Sequence, residues 1–255
     1  MNFTGNAFDY DAAQIKYNPI RRTDPAIAGF VTAALGNSVT ILNVGAGTGS
    51  YEPLNRMVIA VEPSATMRQQ RLSASKSPAI NASAELLPFD DNSFDAAMAI
   101  ITIHHWENLK KGISEMRRVT KGPVVILTFD PDALHLGWLA SCFPELVAVE
   151  AKRYPPLNSI VEALGCNCSI QKIPVTLDCI DGFQEAFYGR PEAFLEKEVR
   201  DAQSAWGFLD EKIKSQMLGR FEQMLKSGDW DARFGEYRKL ALFHGALRLL
   251  VANHD

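Results

Sequence analysis

The chain has 255 residues, 47% hydrophobic and 22% charged, the balance of a globular protein with room for one sizeable domain and a cap. Its net charge is −4 and its basic residues come no closer than pairs such as Arg21-Arg22 and Lys110-Lys111, which argues against nucleic acid or an anionic membrane as partner. No stretch approaches the roughly 18 consecutive apolar residues of a spanning helix, and Met1-Asn2-Phe3-Thr4 lacks the regions of a signal peptide. A cytoplasmic protein is expected, with no nucleic-acid or membrane partner; the oligomeric state is open, a homodimer included.

In chain order, residues 9–17 and 25–35 have helical character. Asp24-Pro25 reads as a cap followed by proline in the first turn. The short apolar run 39–43 reads as a buried strand running into the glycine turn Gly45-Ala46-Gly47-Thr48-Gly49. Residues 57–62 form a second strand, and Pro63-Ser64 opens a helix that runs past Met67. Residues 79–83 suit a third strand. Residues 94–103 form a fourth, near-continuously apolar as a strand covered on both faces should be. Residues 109–119 are an amphipathic helix with Ile113, Met116 and Val119 on one face, and 124–129 form a fifth strand. Strands alternating with helices predict βαβ units and a mostly parallel sheet.

The pattern changes after Asp130-Pro131. Residues 134–149 read as helical with a break at Pro144. Residues 158–164 read as a helix stopped by Gly165. A sixth strand is expected at 169–175, a helical and charged block at 178–230, and a seventh strand at 240–251. Phe187, Tyr188, Trp206 and Trp230 suit either a planar apolar pocket or plain core. The cysteines form no C-x-x-C pair; Cys166-Asn167-Cys168 reads as a small apolar pair near the start of a strand, and no metal site is expected.

The chemistry concentrates at the strand ends. Ligands bind at the carboxyl ends of strands in open α/β sheets, and glycines there let the backbone turn sharply and a ligand approach. The spacing G-x-G-x-G, with Ser50 next, departs from a dinucleotide fingerprint, and no Gly-Lys-Ser/Thr follows to make a P-loop. Glu62 ends the second strand, where a carboxylate can accept hydrogen bonds from a ribose diol. His104 and His105 end the fourth; either could take a proton from an acceptor, or simply pack beneath the next helix. Arg190 could bind an acidic acceptor or pair with Glu192 or Asp181 as scaffold.

Four blocks in order resemble the class I S-adenosylmethionine-dependent methyltransferases, in particular the small-molecule branch of the ubiquinone/menaquinone-biosynthesis type (methyltransferase type 11). They are 42–49; Val61-Glu62-Pro63-Ser64 with Met67; Ala84-Glu85-Leu86-Leu87-Pro88-Phe89 with Asp90, Asn92, Ser93, Phe94 and Asp95; and His104-His105-Trp106 followed by Glu115-Met116-Arg117-Arg118-Val119. The resemblance implies a Rossmann-like α/β fold, a seven-stranded mostly parallel sheet with helices on both faces and an antiparallel last strand. It implies an N-terminal helical lid (1–35), a cofactor core (36–176), a helical substrate cap (177–235) and the last strand (236–255). It implies S-adenosylmethionine as cofactor and S-adenosylhomocysteine as product. Cofactor contacts would come from Asn43, Gly45, Ala46, Gly47, Gly49, Glu62, Pro63, Met67, Ser83, Ala84, Glu85 and Ile101, with Trp106 walling the pocket and His105 and His104 as catalytic candidates. Asn43 and Ser83 stand where the family more often has Asp. The reaction implied is methyl transfer to a small acceptor, at oxygen or nitrogen before carbon; the alternative is a cofactor-binding protein of the same fold without turnover.

Overall fold

The computed structural model describes residues 9–13, 20–165 and 167–253, the side chains of Tyr10 and Ala13 excepted. Its centre is a seven-stranded sheet. Strands β1 (Thr40–Val44), β2 (Met57–Val61), β3 (Ala79–Ile80), β4 (Ala96–Ile100), β5 (Val124–Phe129) and β6 (Cys168–Lys172) share it with β9 (Leu247–Ala252). A separate two-stranded ribbon joins β7 (Val175–Thr176) to β8 (Leu242–Phe243). The sheet order is β3-β2-β1-β4-β5-β9-β6, and β9 alone runs antiparallel, to both of its neighbours. The chain winds outward from β1 to β3 and then restarts at β4 on the other side. The carboxyl ends of β1 and β4 therefore flank the switch point where such sheets bind ligands.

The alternation of side chains along each strand splits the core into two layers. Ile41, Met98, Val125, Leu127, Leu247 and Leu249 face one side, covered by the helices Pro25–Ala34 and Pro144–Arg153. Leu42, Ala97, Ala99, Val124, Ile126 and Leu250 face the other, covered by Leu109–Arg118 and Leu157–Leu164. The caps form as expected. Asp24 accepts from the amides of Ala26 and Ile27 at 3.0 and 3.2 Å, and Gly165 closes its helix at φ +63°.

Several boundaries differ from expectation, each for a local reason. The fourth strand stops at Ile100, because Ile101 turns to φ +49° and Ile103–His105 form a 3₁₀ turn. The third strand shrinks to Ala79–Ile80. The sixth divides at Ile173-Pro174, since proline has no amide to give a ladder. The seventh divides at His244–Ala246, with only Leu247–Ala252 in the main sheet. Trp206, Trp230, Phe187 and Tyr188 are buried in packed clusters and line neither of the two cavities described below, so the core reading holds for all of them. Of the helix expected at 9–17, Tyr10–Ala13 is described; the aromatics Phe3, Phe8 and Tyr17 and the thiol Cys166 lie outside the described residues.

Candidate active site

A cleft of about 540 Å³ opens at the ends of β1, β2 and β4, well inside the size range of small-molecule sites. The turn after β1 is pressed against the turn after β4. At Gly45, φ is +67° and a Cβ would stand 2.2 Å from Thr102 Oγ1, so only glycine fits. The amide of Gly47 donates to Glu62 Oε2 at 2.8 Å, and the amide of Ser64 donates to Oε1 at 2.9 Å. Glu62 thereby bridges the glycine turn and the start of the next helix. Burial pushes its carboxyl above the usual carboxylate range, while the two amides oppose that shift. Each oxygen keeps a further lone pair to offer a ligand hydroxyl.

Asn43, the last residue but one of β1, is buried. Its Nδ2 donates to Glu52 Oε1 at 2.9 Å. Glu52 is held in turn by Arg71, at 2.7 Å from Nη1 and 3.0 Å from Nη2. The other end of the amide, Asn43 Oδ1, is buried without a partner among the described residues. A buried acceptor left open costs roughly 1–3 kcal/mol, so this atom is a strong pointer to a donor-bearing ligand.

Of the twelve residues expected to hold the cofactor, Asn43, Gly45, Ala46, Gly47, Glu62, Pro63, Met67, Ser83, Ala84, Glu85 and Ile101 all line the cleft, and His105 and Trp106 line it too. Gly49 does not. It stands behind the turn at φ +89°, where a Cβ would meet Arg71 Nη1 at 2.6 Å, so it makes room for the Glu52–Arg71 pair. His104 does not line the cleft either; it faces a smaller hollow beyond it. Arg190 lines neither space and pairs with neither Glu192 nor Asp181. Its guanidinium donates to the carbonyls of Cys179 and Ala186 at 2.6 and 2.8 Å, while Glu192 pairs with Arg238.

The two histidines are held neutral. Burial pushes His105 down to about 3, helped by the Arg153 guanidinium. Burial also holds His104 well below the usual imidazole range, with His105 and Arg153 adding to the effect. Their rings lie 3.9 Å apart, and His104 stacks on Tyr154 at 4.4 Å. A conjugate acid near 3 gives His105 little equilibrium drive as a base at neutral pH.

Sequence reasoning missed three groups because distant segments bring them in. Arg21 Nε donates to Asp181 Oδ1 at 2.7 Å, and Tyr51 OH donates to Asp181 Oδ2 at 2.7 Å. Tyr51 and Ile101 are both non-glycine residues at positive φ in the cleft wall, and such conformations cost roughly 1–3 kcal/mol and gather at functional sites. At the mouth, Asp9 and Asp11 line the cleft. Asp11 accepts from Thr66 N and Ser64 Oγ at 2.8 and 2.7 Å, capping the helix Ala65–Ser73. Those bonds, the Thr66 amide first, hold its carboxyl down at about 2.

The methyltransferase-domain family profile matches residues 42–127, the stretch from β1 to β5. A protein of Anabaena variabilis ATCC 29413, described as a methyltransferase from an antibiotic biosynthesis pathway, is 30% identical; the match covers 91% of this chain and 98% of that one, with a TM-score of 0.85. The geranyl diphosphate C-methyltransferase of Streptomyces coelicolor A3(2), solved with Mg2+, geranyl diphosphate and S-adenosyl-L-homocysteine, shares the fold at 15% identity, over 90% of this chain and 79% of that one, with a TM-score of 0.52. An uncharacterised protein of Methanocaldococcus jannaschii is 26% identical over 99 residues, a match that spans 39% of this chain and only 39% of that protein's length. The chain belongs to the class I S-adenosylmethionine-dependent methyltransferases.

Proposed function

We propose that the protein transfers the methyl group of S-adenosylmethionine to an oxygen or nitrogen atom of a small-molecule acceptor. The observation that carries this reading is the open, buried Oδ1 of Asn43 near the end of β1, on a residue that lines the cleft together with Glu62 just after β2. An ammonium donor satisfies the first group and a ribose diol the second, and the cofactor carries both.

When bound, the cofactor supplies a sulfonium methyl as electrophile. The chain supplies position. Asn43 Oδ1 accepts from the ammonium. Glu62 accepts from the ribose hydroxyls with the lone pairs that Gly47 and Ser64 leave open. Pro63 and Met67 pack on the adenine, Ser83, Ala84 and Glu85 read its edge, and Ala46 and Ile101 wall the cofactor. His105, at the junction of the cleft with the inner hollow, holds the acceptor's nucleophilic group as a neutral hydrogen-bond acceptor, with His104 beneath it. Residues 9–13 close the mouth as part of a lid, and the 177–235 segment covers the acceptor. Holding acceptor and methyl in line contributes several kcal/mol of barrier reduction, so no strong base is needed.

The test is to incubate the protein with methyl-labelled S-adenosylmethionine and a panel of small hydroxylated and amine-bearing compounds. Label recovered as an O- or N-methyl product is expected. Label on carbon alone, or none transferred although the cofactor binds, would contradict the reading.

A further inference from the structure

Behind the cofactor cleft lies a second hollow of about 40 Å³. It shares Arg21, Ile101 and His105 with the cleft, so the two spaces meet where β4 ends. At roughly 10–15 Å³ per water-sized group, it takes the end of a molecule and not a whole metabolite.

The charges around it can be matched one against another. Arg21 is held by Asp181 at 2.7 Å. Glu150 is held by Arg153 at 3.2 Å. Glu185 is left over. Its two oxygens accept from the amide of Ala246, at 2.8 and 3.0 Å, with the Leu247 amide as a second backbone donor, and among the described residues no cation makes an ion pair with it. The Arg248 guanidinium, the cation that acts on Glu185 through space, is paired with Asp130 at 3.1 Å. A second acceptor is open as well: His104 Nδ1 is buried in the same wall without a partner among the described residues, and a neutral imidazole can present its lone pair there. The apolar part of the wall is formed by Ile101, Leu134 and three aromatic rings, Phe129, Tyr154 and Phe183, with Phe129 5.3 Å from Tyr154 and 5.5 Å from Phe183.

An anion would meet Glu185 as a like charge. A neutral hydroxyl would leave the carboxylate uncompensated. A protonated amine answers all three features, giving Glu185 a counter-ion, His104 a donor and the rings a cation to face. We propose that this hollow is the anchoring subsite for a protonated amine of the methyl acceptor, with Glu185 as its counter-ion. The proposal rests on the methyl-transfer reading for the identity of the ligand as acceptor. Burial pushes the Glu185 carboxyl up to about 7, as expected of a carboxylate that lacks its own cation.

The experiment is calorimetric titration of the protein, loaded with S-adenosylhomocysteine, with benzylamine, benzyl alcohol and benzoate at about pH 8. Benzylamine is expected to bind about tenfold or more tighter than the other two, the effect of one charge-assisted hydrogen bond. Glu185→Gln is expected to abolish that preference while S-adenosylhomocysteine binds as in the parent, which also reports an intact fold. Phe183→Leu, which keeps the charge and removes a ring, is expected to weaken benzylamine several-fold. Equal or tighter binding of the alcohol or of benzoate, absence of binding by all three, or a preference that survives in Glu185→Gln would overturn the subsite. Failure to bind S-adenosylhomocysteine would strike the cofactor reading instead, and is seen before any amine is added.

Discussion

The hydroxyl of Tyr51 donates to Asp181 Oδ2 at 2.7 Å, tying the turn after β1 to the segment that follows β7, 130 residues along the chain. Asp181 also receives Arg21 and the amide of Gly182. One buried carboxylate thus joins the turn after β1, the N-terminal segment and the segment after β7. Burial holds the Tyr51 hydroxyl well above its usual pKa, and the neighbouring Asp181 acts in the same direction, so it stays a donor. Tyr51→Phe removes one donor from a buried acceptor and is expected to lower stability by about 1–3 kcal/mol. A urea midpoint shifted down at unchanged slope is the expected result.

Glu52 favours an amide over a carboxylate at position 43. Its Oε1 lies 2.9 Å from Asn43 Nδ2, so an aspartate there would set carboxylate against carboxylate. Asn43→Asp is expected to cost about 1–3 kcal/mol of stability and to bind a proton in the buried pair. Asn43→Leu removes the open acceptor and is expected to weaken S-adenosylmethionine roughly 10- to 150-fold. Unchanged affinity in the leucine variant would remove Asn43 from the site.

Glu185 carries a pH signature. Its folded value of about 7 lies above the ordinary carboxyl value of 4.5. The folded state therefore holds the proton over that window more tightly than the unfolded chain does. Stability from this group falls as pH rises from about 4.5 through 7, by a total on the order of 3 kcal/mol. Glu185→Gln, which carries no titrating carboxyl, is expected to gain melting temperature relative to the parent between about pH 5 and pH 8. A difference that stays constant across that range would contradict the assignment.

His105 is neutral above about pH 3, so the role proposed for it in turnover is positional. His105→Ala is expected to slow methyl transfer by a factor that is the same at about pH 6 and pH 8. A limb near 6.5, the reference imidazole value, that disappears in the variant would make it a titrating base instead.

The cofactor side of this site was legible because its signals are local. A strand, a glycine turn and an acid one strand later are contiguous in sequence, and Ser83–Glu85 occupy a fixed place before β4. Gly49 looked like part of the same signal, yet its freedom serves the Glu52–Arg71 pair behind the turn. The second hollow was not legible. Glu150, Glu185 and Arg21 come from separate segments and converge only through packing, so no spacing marks them. The aromatic residues 187, 188, 206 and 230 read equally as pocket or core, and burial decided for core. Strand ends were misjudged at residues 101, 173–174 and 244–246, where a positive φ, a proline and a turn overrule apolar character.

The most direct test is calorimetric titration of the parent and of Glu62→Ala with S-adenosylmethionine, S-adenosylhomocysteine and NAD. The parent is expected to bind both sulfur compounds and not NAD, and Glu62→Ala to lose about 1–3 kcal/mol, roughly 5- to 150-fold in affinity. Binding of NAD alone, or an affinity for S-adenosylmethionine that Glu62→Ala leaves unchanged, would contradict the account of this cleft.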